Sequence, residues 1–286
     1  MLPTTRQKDI FDLRLERSAA DLWPMLDQLY GNDPRYPQMR SDLLTQMRKA
    51  WAARPADLKT LDLQRDLEPD WFQRPQMVGY VFYIDRFAGN IRGIHDKIDY
   101  LESLGVTYVH LMPCLKPRAG DSDGGYSVQD YRRINPVYGS MTDLQDLSKA
   151  LRARGMSLCI DMVLNHTAKE HDWARKAAKG HPVYQDFYLM FDDDTLPKAY
   201  EKTLIEIFPD NAPGSFSYYE DLDKWVWTTF NEHQWDLNWA NPQVFLEIAS
   251  VMMFLPTKVS MCCGWMRWLS CGNAWAPAAS LNQRCI

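Results

Sequence analysis

The hydrophobic positions divide the chain into an amino-terminal part with helical spacing and a later part with strand-like runs. Within residues 1–75, apolar side chains recur every three or four positions, which predicts amphipathic helices. The segment GNDP (31–34) ends the first helix, and Arg54-Pro55 ends a second. We interpret this part as a helical packing or dimerisation domain that carries no chemistry of its own.

From residue 76 onward, short continuous apolar runs alternate with amphipathic segments. The runs lie at 77–85, 106–113 and 156–166, and the amphipathic segments lie at 93–104 and 141–155. Buried apolar strands that alternate with helices are typical of a parallel α/β sheet. Polar residues follow the runs, at the carboxyl ends of the strands, where such folds place their active sites.

Residues 167–240 interrupt this alternation. They are polar and rich in Tyr, Phe and Trp, and they are too many for an ordinary loop, so we expect a small inserted subdomain. Residues 242–255 return to a helical pattern, with Asn241-Pro242 as its start.

Composition narrows the classes of protein and partner. The chain has 286 residues, of which 46% are hydrophobic and 24% charged, the balance of a globular protein. A net charge of −5 argues against nucleic acid as a partner. There is no run of about 18 apolar residues, so no membrane span is expected. The charged first 18 residues lack the apolar core of a secretory signal, which predicts a cytoplasmic location.

The composition changes after residue 255. Residues 256–286 contain no Asp or Glu, yet they hold four of the six cysteines, Cys262, Cys263, Cys271 and Cys285. This spacing fits no zinc motif and no histidine accompanies it, so neither a metal nor another cofactor is expected. Cys114 and Cys159 lie in apolar runs and are interpreted as reduced core residues.

Three motifs resemble signature segments of the α-amylase superfamily of glycoside hydrolases. They are SDGGYSVQDY (122–131), DMVLNH (161–166) and FNEHQWDLNWANPQV (230–244). Together with the helical amino-terminal region and IFPD (207–210), they make residues 1–255 resemble the amylosucrases. These bacterial enzymes split sucrose and build α-glucan from its glucosyl part, so the resemblance implies sucrose and α-glucan as partners.

The resemblance also implies a domain organisation. A helical domain (1–75) would precede an incomplete TIM (β/α)8 barrel (76–255) of about three strand–helix units. The inserted subdomain would cover about 167–240, and 256–286 would form an aberrant tail. Because an open barrel leaves an apolar sheet edge unpaired, we expect this chain to be aggregation-prone.

A glucose pocket follows from the same resemblance. Tyr126 would stack on the ring held at the cleavage site, since aromatic faces suit the apolar C–H face of a sugar. Asp123 would accept hydrogen bonds at the closed end, where the family pairs it with a distant Arg that this chain lacks. His166 would donate to the glucosyl 6-hydroxyl, and Phe230 would line the entrance. Asp161 would orient the strand end.

Each of these residues also has a purely structural interpretation. A histidine after a strand is often a satisfied core residue, a tyrosine in a Gly-Gly-Tyr loop often packs, and an aspartate often caps a turn. Their joint occurrence at one predicted rim favours the pocket. His166 and His171 lack the spacing of a zinc-binding helix, so neither is expected to ligate a metal.

The tail departs from the superfamily pattern. Retaining glycoside hydrolysis needs a carboxylate nucleophile and a carboxylic acid proton donor. In the superfamily the nucleophile follows the helix ending here at Leu255, in a segment like G-V-D-x-L-R-x-D-A-V. Back-translating MCCGWMRW (261–268) and reading one base earlier is compatible with D-V-L-R-M-D-A-V. The tail therefore looks frameshifted, and this chain is expected to lack catalytic residues, strands four to eight and activity.

Several interpretations stay open. The chain is either an inactive amylosucrase-like fragment, a non-catalytic sucrose- or glucan-binding fragment, or an active enzyme whose sequence carries an error. Sucrose hydrolase and trehalose synthase remain alternatives within the superfamily. The oligomeric state is not predicted.

Overall fold

The computed structural model describes residues 4–210, 212–258 and 261–264. The α-helices in chain order are α1 (Thr4–Tyr30), α2 (Tyr36–Ala53), α3 (Ala56–Leu67), α4 (Ile84–Ala88), α5 (Ile91–His95), α6 (Ile98–Ser103), α7 (Met141–Ala153), α8 (Asp172–Ala178), α9 (Pro182–Gln185), α10 (Thr195–Glu201) and α11 (Pro242–Lys258). The strands are β1 (Gly79–Phe82), β2 (Tyr108–Leu111), β3 (Leu115–Pro117), β4 (Val128–Ile134), β5 (Ser157–Asp161), β6 (His166–Ala168), β7 (Met190–Phe191), β8 (Phe216–Tyr219), β9 (Lys224–Trp227), β10 (Gln234–Asp236) and β11 (Met261–Gly264). Short 3-10 turns lie at Trp71–Gln73, Asp123–Gly125 and Glu220–Leu222.

The amino-terminal helices end where the sequence predicts. Helix α1 ends at Tyr30, immediately before the GNDP segment, and α2 ends at Ala53, before Arg54-Pro55. Both helices pack on α11, where Leu246 shares a buried cluster with Leu26 and Met39. This part of the chain therefore rests on the helix that follows the inserted region.

A parallel sheet lies at the centre of the described structure. Its strand order is β1-β2-β5-β11, and each neighbouring pair is parallel. The side chains of Val109, Leu111 and Ile160 have no exposed surface, as expected for strands covered on both faces. The predicted parallel α/β architecture of an incomplete barrel is confirmed.

The sheet has one parallel strand more than the sequence predicted. The backbone of β11, inside the predicted tail, pairs with β5 in register, Met261 with Leu158 and Gly264 with Asp161. Ladder hydrogen bonds come from backbone groups, so a short uncharged run can pair with an open strand edge whatever its side chains. The expectation that a fourth strand is absent is therefore wrong. Residues 265–286 of the predicted tail lie outside the described residues.

The helices around the sheet follow the predicted apolar spacing. The predicted helix 93–104 is divided into α5 and α6, although Ile91, Ile94, Ile98 and Leu101 all lie in the core. The predicted helix 141–155 is confirmed as α7. Ser140 caps it in a capping box with Asp143, and Gly155 follows it with a φ of 73°.

The inserted region has its own antiparallel elements. Strands β7, β9 and β8 form a three-stranded sheet, whereas β6 and β10 form a ribbon beside the carboxyl end of β5. None of the helices in the described part of the chain combines the length and apolar character that crossing a bilayer requires.

Candidate functional site

A tight loop carries the first predicted site residues. Asp123, Gly124 and Gly125 have φ values of 51°, 64° and 97°. A side-chain Cβ at position 125 would lie 3.0 Å from the Cβ of Pro113, so only glycine lets the loop press against the segment after β2. Asp123 adopts the left-handed conformation that aspartate tolerates better than most residues. The loop thereby holds Asp123 and the next residues close to the strand ends.

Asp161 anchors the ring of Tyr126. The Tyr126 hydroxyl donates to Oδ2 of Asp161 at 3.1 Å, and Nε2 of His110 lies 2.8 Å from Oδ1 of the same carboxylate. Asp161 and His110 are both buried. Because both carboxylate oxygens are engaged, Asp161 fixes the Tyr126 side chain and the strand end together, consistent with its expected orienting role.

The imidazole of His166 is fully buried and touches three polar groups. Its Nε2 lies 3.3 Å from the carbonyl oxygen of Tyr126 and 3.1 Å from Nε2 of Gln234. Its Nδ1 lies 3.4 Å from Nδ2 of Asn165. With the proton on Nε2, the ring donates to Tyr126 and accepts from Asn165. With the proton on Nδ1, it accepts from Gln234. The neighbours thus support either tautomer.

Gln234 joins two predicted residues that come from different parts of the chain. Its amide nitrogen donates to Oδ2 of Asp123 at 3.2 Å and also contacts His166. The ring of Phe230 meets that of His166 edge-on, with 5.1 Å between centroids. On the far side of Phe230 lies Phe208 of the IFPD motif, at 6.0 Å. Four predicted binding residues, Asp123, Tyr126, His166 and Phe230, are therefore linked by these contacts at one rim.

Asp236 is a buried carboxylic acid behind this rim. It lies opposite His166 in the β6–β10 ribbon and accepts hydrogen bonds from the hydroxyl and amide of Thr229. Burial raises the pKa of Asp236 to about 7, and the bonds from Thr229 oppose that rise only in part. Since Thr229 precedes Phe230, Asp236 fixes the backbone that presents the Phe230 ring.

An ion pair secures the outer side of the loop. The Arg118 guanidinium donates to both oxygens of Glu170, at 3.0 and 2.9 Å, and to the carbonyl oxygen of Asp121 at 2.6 Å. Partial burial works to raise the pKa of Glu170, but the Arg118 hydrogen bonds more than offset this and hold it below its usual range. The loop before Asp123 is thus tied to the segment after β6.

Sequence reasoning missed three residues of this network: His110, Gln234 and Asp236. His110 had a signal, because it is the only side chain in the apolar run 106–113 that can carry a charge near neutral pH. Gln234 and Asp236 lie inside the motif 230–244, where no role was assigned to them. Their contribution depends on the β6–β10 pairing, which the pattern of apolar positions does not reveal.

The arrangement has the groups that hold a sugar. An aromatic ring with a fixed edge, a carboxylate and an imidazole can stack on a pyranose and exchange hydrogen bonds with its hydroxyls. Asp161 is already engaged on both oxygens and is buried, so it is not placed as a free nucleophile. The described residues of the rim thus bring together groups that can bind a sugar.

A groove lies away from the rim, between the amino-terminal helices and α11. This groove has a volume of about 530 Å³, and none of the four predicted binding residues lines it. Its charged side chains pair with each other, since Arg14 contacts Asp66 at 2.7 Å and Arg54 contacts Asp62. The groove therefore does not resemble the polar rim at the strand ends.

Several known proteins are similar to this chain. A family model described as "Alpha amylase, catalytic domain" matches residues 31–265. An oligo-1,6-glucosidase from Heyndrickxia coagulans is 34% identical over 175 residues, which are 59% of this chain and 30% of that protein. A trehalose synthase from Pimelobacter sp. (strain R48) is 33% identical over 196 residues, 65% of this chain and 33% of that protein.

Solved structures of carbohydrate-active enzymes are also similar to this chain. A trehalose-6-phosphate hydrolase from Bacillus licheniformis matches with a TM-score of 0.58 and 28% identity, covering 66% of this chain and 34% of that one. An isomaltulose synthase variant from Erwinia rhapontici NX5, in complex with sucrose, matches with a TM-score of 0.56 and 29% identity, covering 64% and 33%. The chain spans about a third of the length of the curated relatives it matches.

Proposed function

The chain belongs to the α-amylase family of catalytic domains, and from this membership we propose that its strand ends bind the glucosyl unit of sucrose. Tyr126 stacks on the glucosyl ring, Asp123 accepts hydrogen bonds from its hydroxyls, and His166 donates to the 6-hydroxyl. Phe230 lines the entrance. The fold that carries these residues is that of a TIM-barrel glycoside hydrolase.

The hydrogen-bonded chain from His110 through Asp161 to Tyr126 carries this proposal. The two contacts measure 2.8 and 3.1 Å and involve buried or half-buried groups. An aromatic ring held in this way loses little further freedom when a sugar stacks on it, so more of the stacking energy appears as affinity.

Sucrose is proposed as the ligand because the chain resembles the amylosucrases. It is supported by the motifs at 122–131, 161–166 and 230–244, in combination with the helical amino-terminal region. It is also compatible with a similar isomaltulose synthase having been solved in complex with sucrose. Trehalose synthase is the second candidate, because a trehalose synthase is among the relatives of similar identity.

We also propose that this 286-residue chain does not cleave sucrose by itself. Residues 256–286, where the superfamily places its nucleophile, contain no Asp or Glu. Loss of one member of a catalytic unit commonly costs several orders of magnitude in rate. We also propose that the chain consists of a helical domain (1–75), a partial barrel (76–255) with its insertion (about 167–240) and a frameshifted tail (256–286).

Saturation-transfer NMR with sucrose and trehalose tests the binding site. We expect transfer to the glucosyl protons of sucrose, strongly reduced in Tyr126→Ala and retained in Tyr100→Ala, which removes an exposed tyrosine away from the rim. Stronger transfer to trehalose than to sucrose would favour the second candidate. No transfer to either sugar would contradict the binding proposal.

Release of fructose from sucrose tests the lack of catalysis. Incubation of the purified chain should give no more fructose than buffer alone. Sucrose cleavage that persists through purification and disappears in Asp123→Asn would contradict the proposal that the chain is inactive. It would not contradict the proposed binding site. Mass spectrometry of the carboxyl-terminal peptide would establish whether the sample carries the tail printed in the sequence.

A further inference from the structure

The sheet of the inserted region carries a row of aromatic side chains on one face. The antiparallel register places Phe191 of β7 opposite Trp225 of β9, and Trp225 opposite Tyr218 of β8. Directly opposed residues of neighbouring strands project to the same side of a sheet. Three aromatic rings therefore lie side by side across three strands, and we call Tyr218 and Trp225 the aromatic pair.

This row faces away from the core of the molecule. Val226 and Tyr219 alternate with Trp225 and Tyr218, so they project from the opposite side of the sheet. Val226 is fully buried in the main hydrophobic cluster, and Tyr219 packs edge-on against Trp235 at 5.1 Å. The sheet is thus fixed on the barrel by its inner face, and the aromatic row lies on its outer face.

Helix α10 covers one end of the outer face and leaves the other end open. Tyr200 of α10 stacks on Phe216 with 6.2 Å between centroids and 21° between planes, and it also contacts Trp227 at 5.2 Å. At the other end, the rings of Tyr218 and Trp225 are 5.5 Å apart, and Tyr218 is 46% exposed. The aromatic pair is therefore the solvent-accessible end of a larger aromatic layer.

The aromatic pair is held in place and bordered by carboxylates. The Tyr218 hydroxyl donates to Oδ1 of Asp223 at 2.8 Å, and Asp223 turns the chain between β8 and β9 with a φ of 50°. Asp221 in the same turn is exposed. The Tyr218 ring is consequently oriented before any ligand arrives, and the turn beside it carries carboxylates that can accept hydrogen bonds from hydroxyl groups.

We propose that Tyr218 and Trp225 form a surface site for a chain of α-linked glucose units, separate from the rim at the strand ends. Two neighbouring aromatic rings, here inclined by 45°, offer apolar faces to successive pyranoses, and the carboxylates of the turn suit their hydroxyls. Two rings are too small an area for a stable protein interface, which buries about 800 Å² per partner. The acidic border also disfavours an anionic membrane surface. The site stands whether or not the rim binds sucrose.

Affinity electrophoresis in native gels that contain soluble amylopectin tests this site. The parent chain should be retarded relative to a gel without glucan. Tyr218→Ala and Trp225→Ala should each raise the apparent dissociation constant at least tenfold, whereas Tyr218→Phe, which keeps the ring, should raise it less than threefold. Tyr100→Ala, at a tyrosine that is 48% exposed elsewhere, is the matched control and should be retarded as the parent is.

Further measurements distinguish glucan binding at this site from binding at the rim, and loss of binding from loss of the fold. Sucrose added in excess to occupy the rim should leave the retardation unchanged, and maltoheptaose should quench tryptophan fluorescence in the parent but less in Tyr218→Ala. Far-UV circular dichroism identifies a variant that has lost its fold, in which case Tyr218→Phe against Tyr218→Ser decides the role of the ring. Absence of retardation in the parent, equal retardation by a β-linked glucan, or unchanged retardation in both alanine variants would overturn the proposal.

Discussion

The imidazole of His110 and the carboxylate of Asp161 meet across two neighbouring parallel strands, with 2.8 Å between Nε2 and Oδ1. His110 belongs to β2 and Asp161 ends β5, so the contact depends on the register that pairs Leu111 with Ile160. The other carboxylate oxygen holds the Tyr126 hydroxyl. The register of the sheet thereby fixes the position of the Tyr126 ring, on which we propose that the sugar stacks.

The first prediction concerns the two parts of Tyr126. Tyr126→Phe keeps the ring but loses its hydrogen bond to Asp161, so sucrose affinity should fall by less than about tenfold, the equivalent of roughly 1.4 kcal/mol. Tyr126→Ala also loses the stacking surface and should fall further. Titrations followed by NMR chemical shifts measure both. Equal affinities for Tyr126→Phe and Tyr126→Ala would show that the ring is not the platform.

The buried acid Asp236 should make the protein less stable as the pH rises. Its pKa is about 7 in the folded state against 3.8 for the ordinary carboxyl group. Between these values the unfolded chain releases a proton that the folded chain keeps, so stability falls with rising pH and then levels off above pH 7. Asp236→Asn should therefore raise the free energy of unfolding at pH 8, by roughly 1–4 kcal/mol.

Urea denaturation at pH 8 and pH 4 measures this difference. The gain in the free energy of unfolding in Asp236→Asn should be large at pH 8 and small at pH 4, where the folded forms of both proteins are neutral at this position. Asp221→Asn, in an exposed turn, is the matched control. A gain of the same size at both pH values would mean that the effect does not come from ionisation.

His171 should destabilise the protein in acid. It is buried at the N-cap of α8, where its Nδ1 accepts from the amide of Trp173 at 3.2 Å, and burial lowers its pKa to about 4. Between pH 6.5 and pH 4 the unfolded chain binds a proton that the folded chain does not, so stability falls as the pH falls. The slope is about 1.4 kcal/mol for each pH unit between the two pKa values.

Replacement of His171 by a neutral cap tests this prediction. In His171→Asn, thermal unfolding at pH 4.5 and pH 7 should differ less than in the parent, while the cap to α8 is retained. His181→Asn, at an exposed N-cap without a side-chain cap bond, is the matched control. An unchanged difference in His171→Asn would mean that other groups cause the loss of stability in acid.

The capping box of α7 should contribute measurably to stability. The Ser140 hydroxyl accepts from the Asp143 amide, and the Asp143 carboxylate accepts from the Ser140 amide at 2.7 Å. Ser140→Ala should lower the free energy of unfolding by about 1 kcal/mol. Thr60→Ala, within the exposed face of α3, lacks a capping role and serves as the control. Chemical denaturation of both variants measures the difference.

Acid titration gives a second readout for the same box. Bonds from Ser140, then from Arg92, hold the pKa of Asp143 at about 2. The stability that this carboxylate contributes is present above pH 3.8 and is lost as the pH falls through 2. Ser140→Ala should reduce that acid-dependent loss.

The sequence predicted the elements that depend on local chemistry. The GNDP segment and Arg54-Pro55 mark the ends of α1 and α2, because Gly, Asn and Asp favour a turn and because the residue before a proline favours an extended conformation, as Arg54 adopts. The runs at 106–113 and 156–166 mark β2 and β5 because strands covered on both faces must be apolar throughout. Capping by Ser140 was not read from the sequence, although Gly155 correctly marked the end of α7.

Contacts between distant segments could not be predicted in this way. His110 and Asp161 are 51 positions apart, and only the sheet register brings them together. The left-handed position in the turn between β8 and β9 is occupied by Asp223 rather than by a glycine. The sequence therefore lacked the glycine that usually marks a hairpin turn. Strand β11 was not predicted, because its pairing depends on the open edge of β5.

The packing of Leu246 with Leu26 and Met39 ties the two ends of the described chain together. The hydroxyl of Tyr30 adds a bond to the carbonyl oxygen of Trp239, just before α11. Any recombination that exchanged the first helices would have to supply a new complement to α11 at the same time, because contacting residues do not contribute independently to stability. Helix α11 thus packs into the barrel core through one set of side chains and against the amino-terminal helices through another.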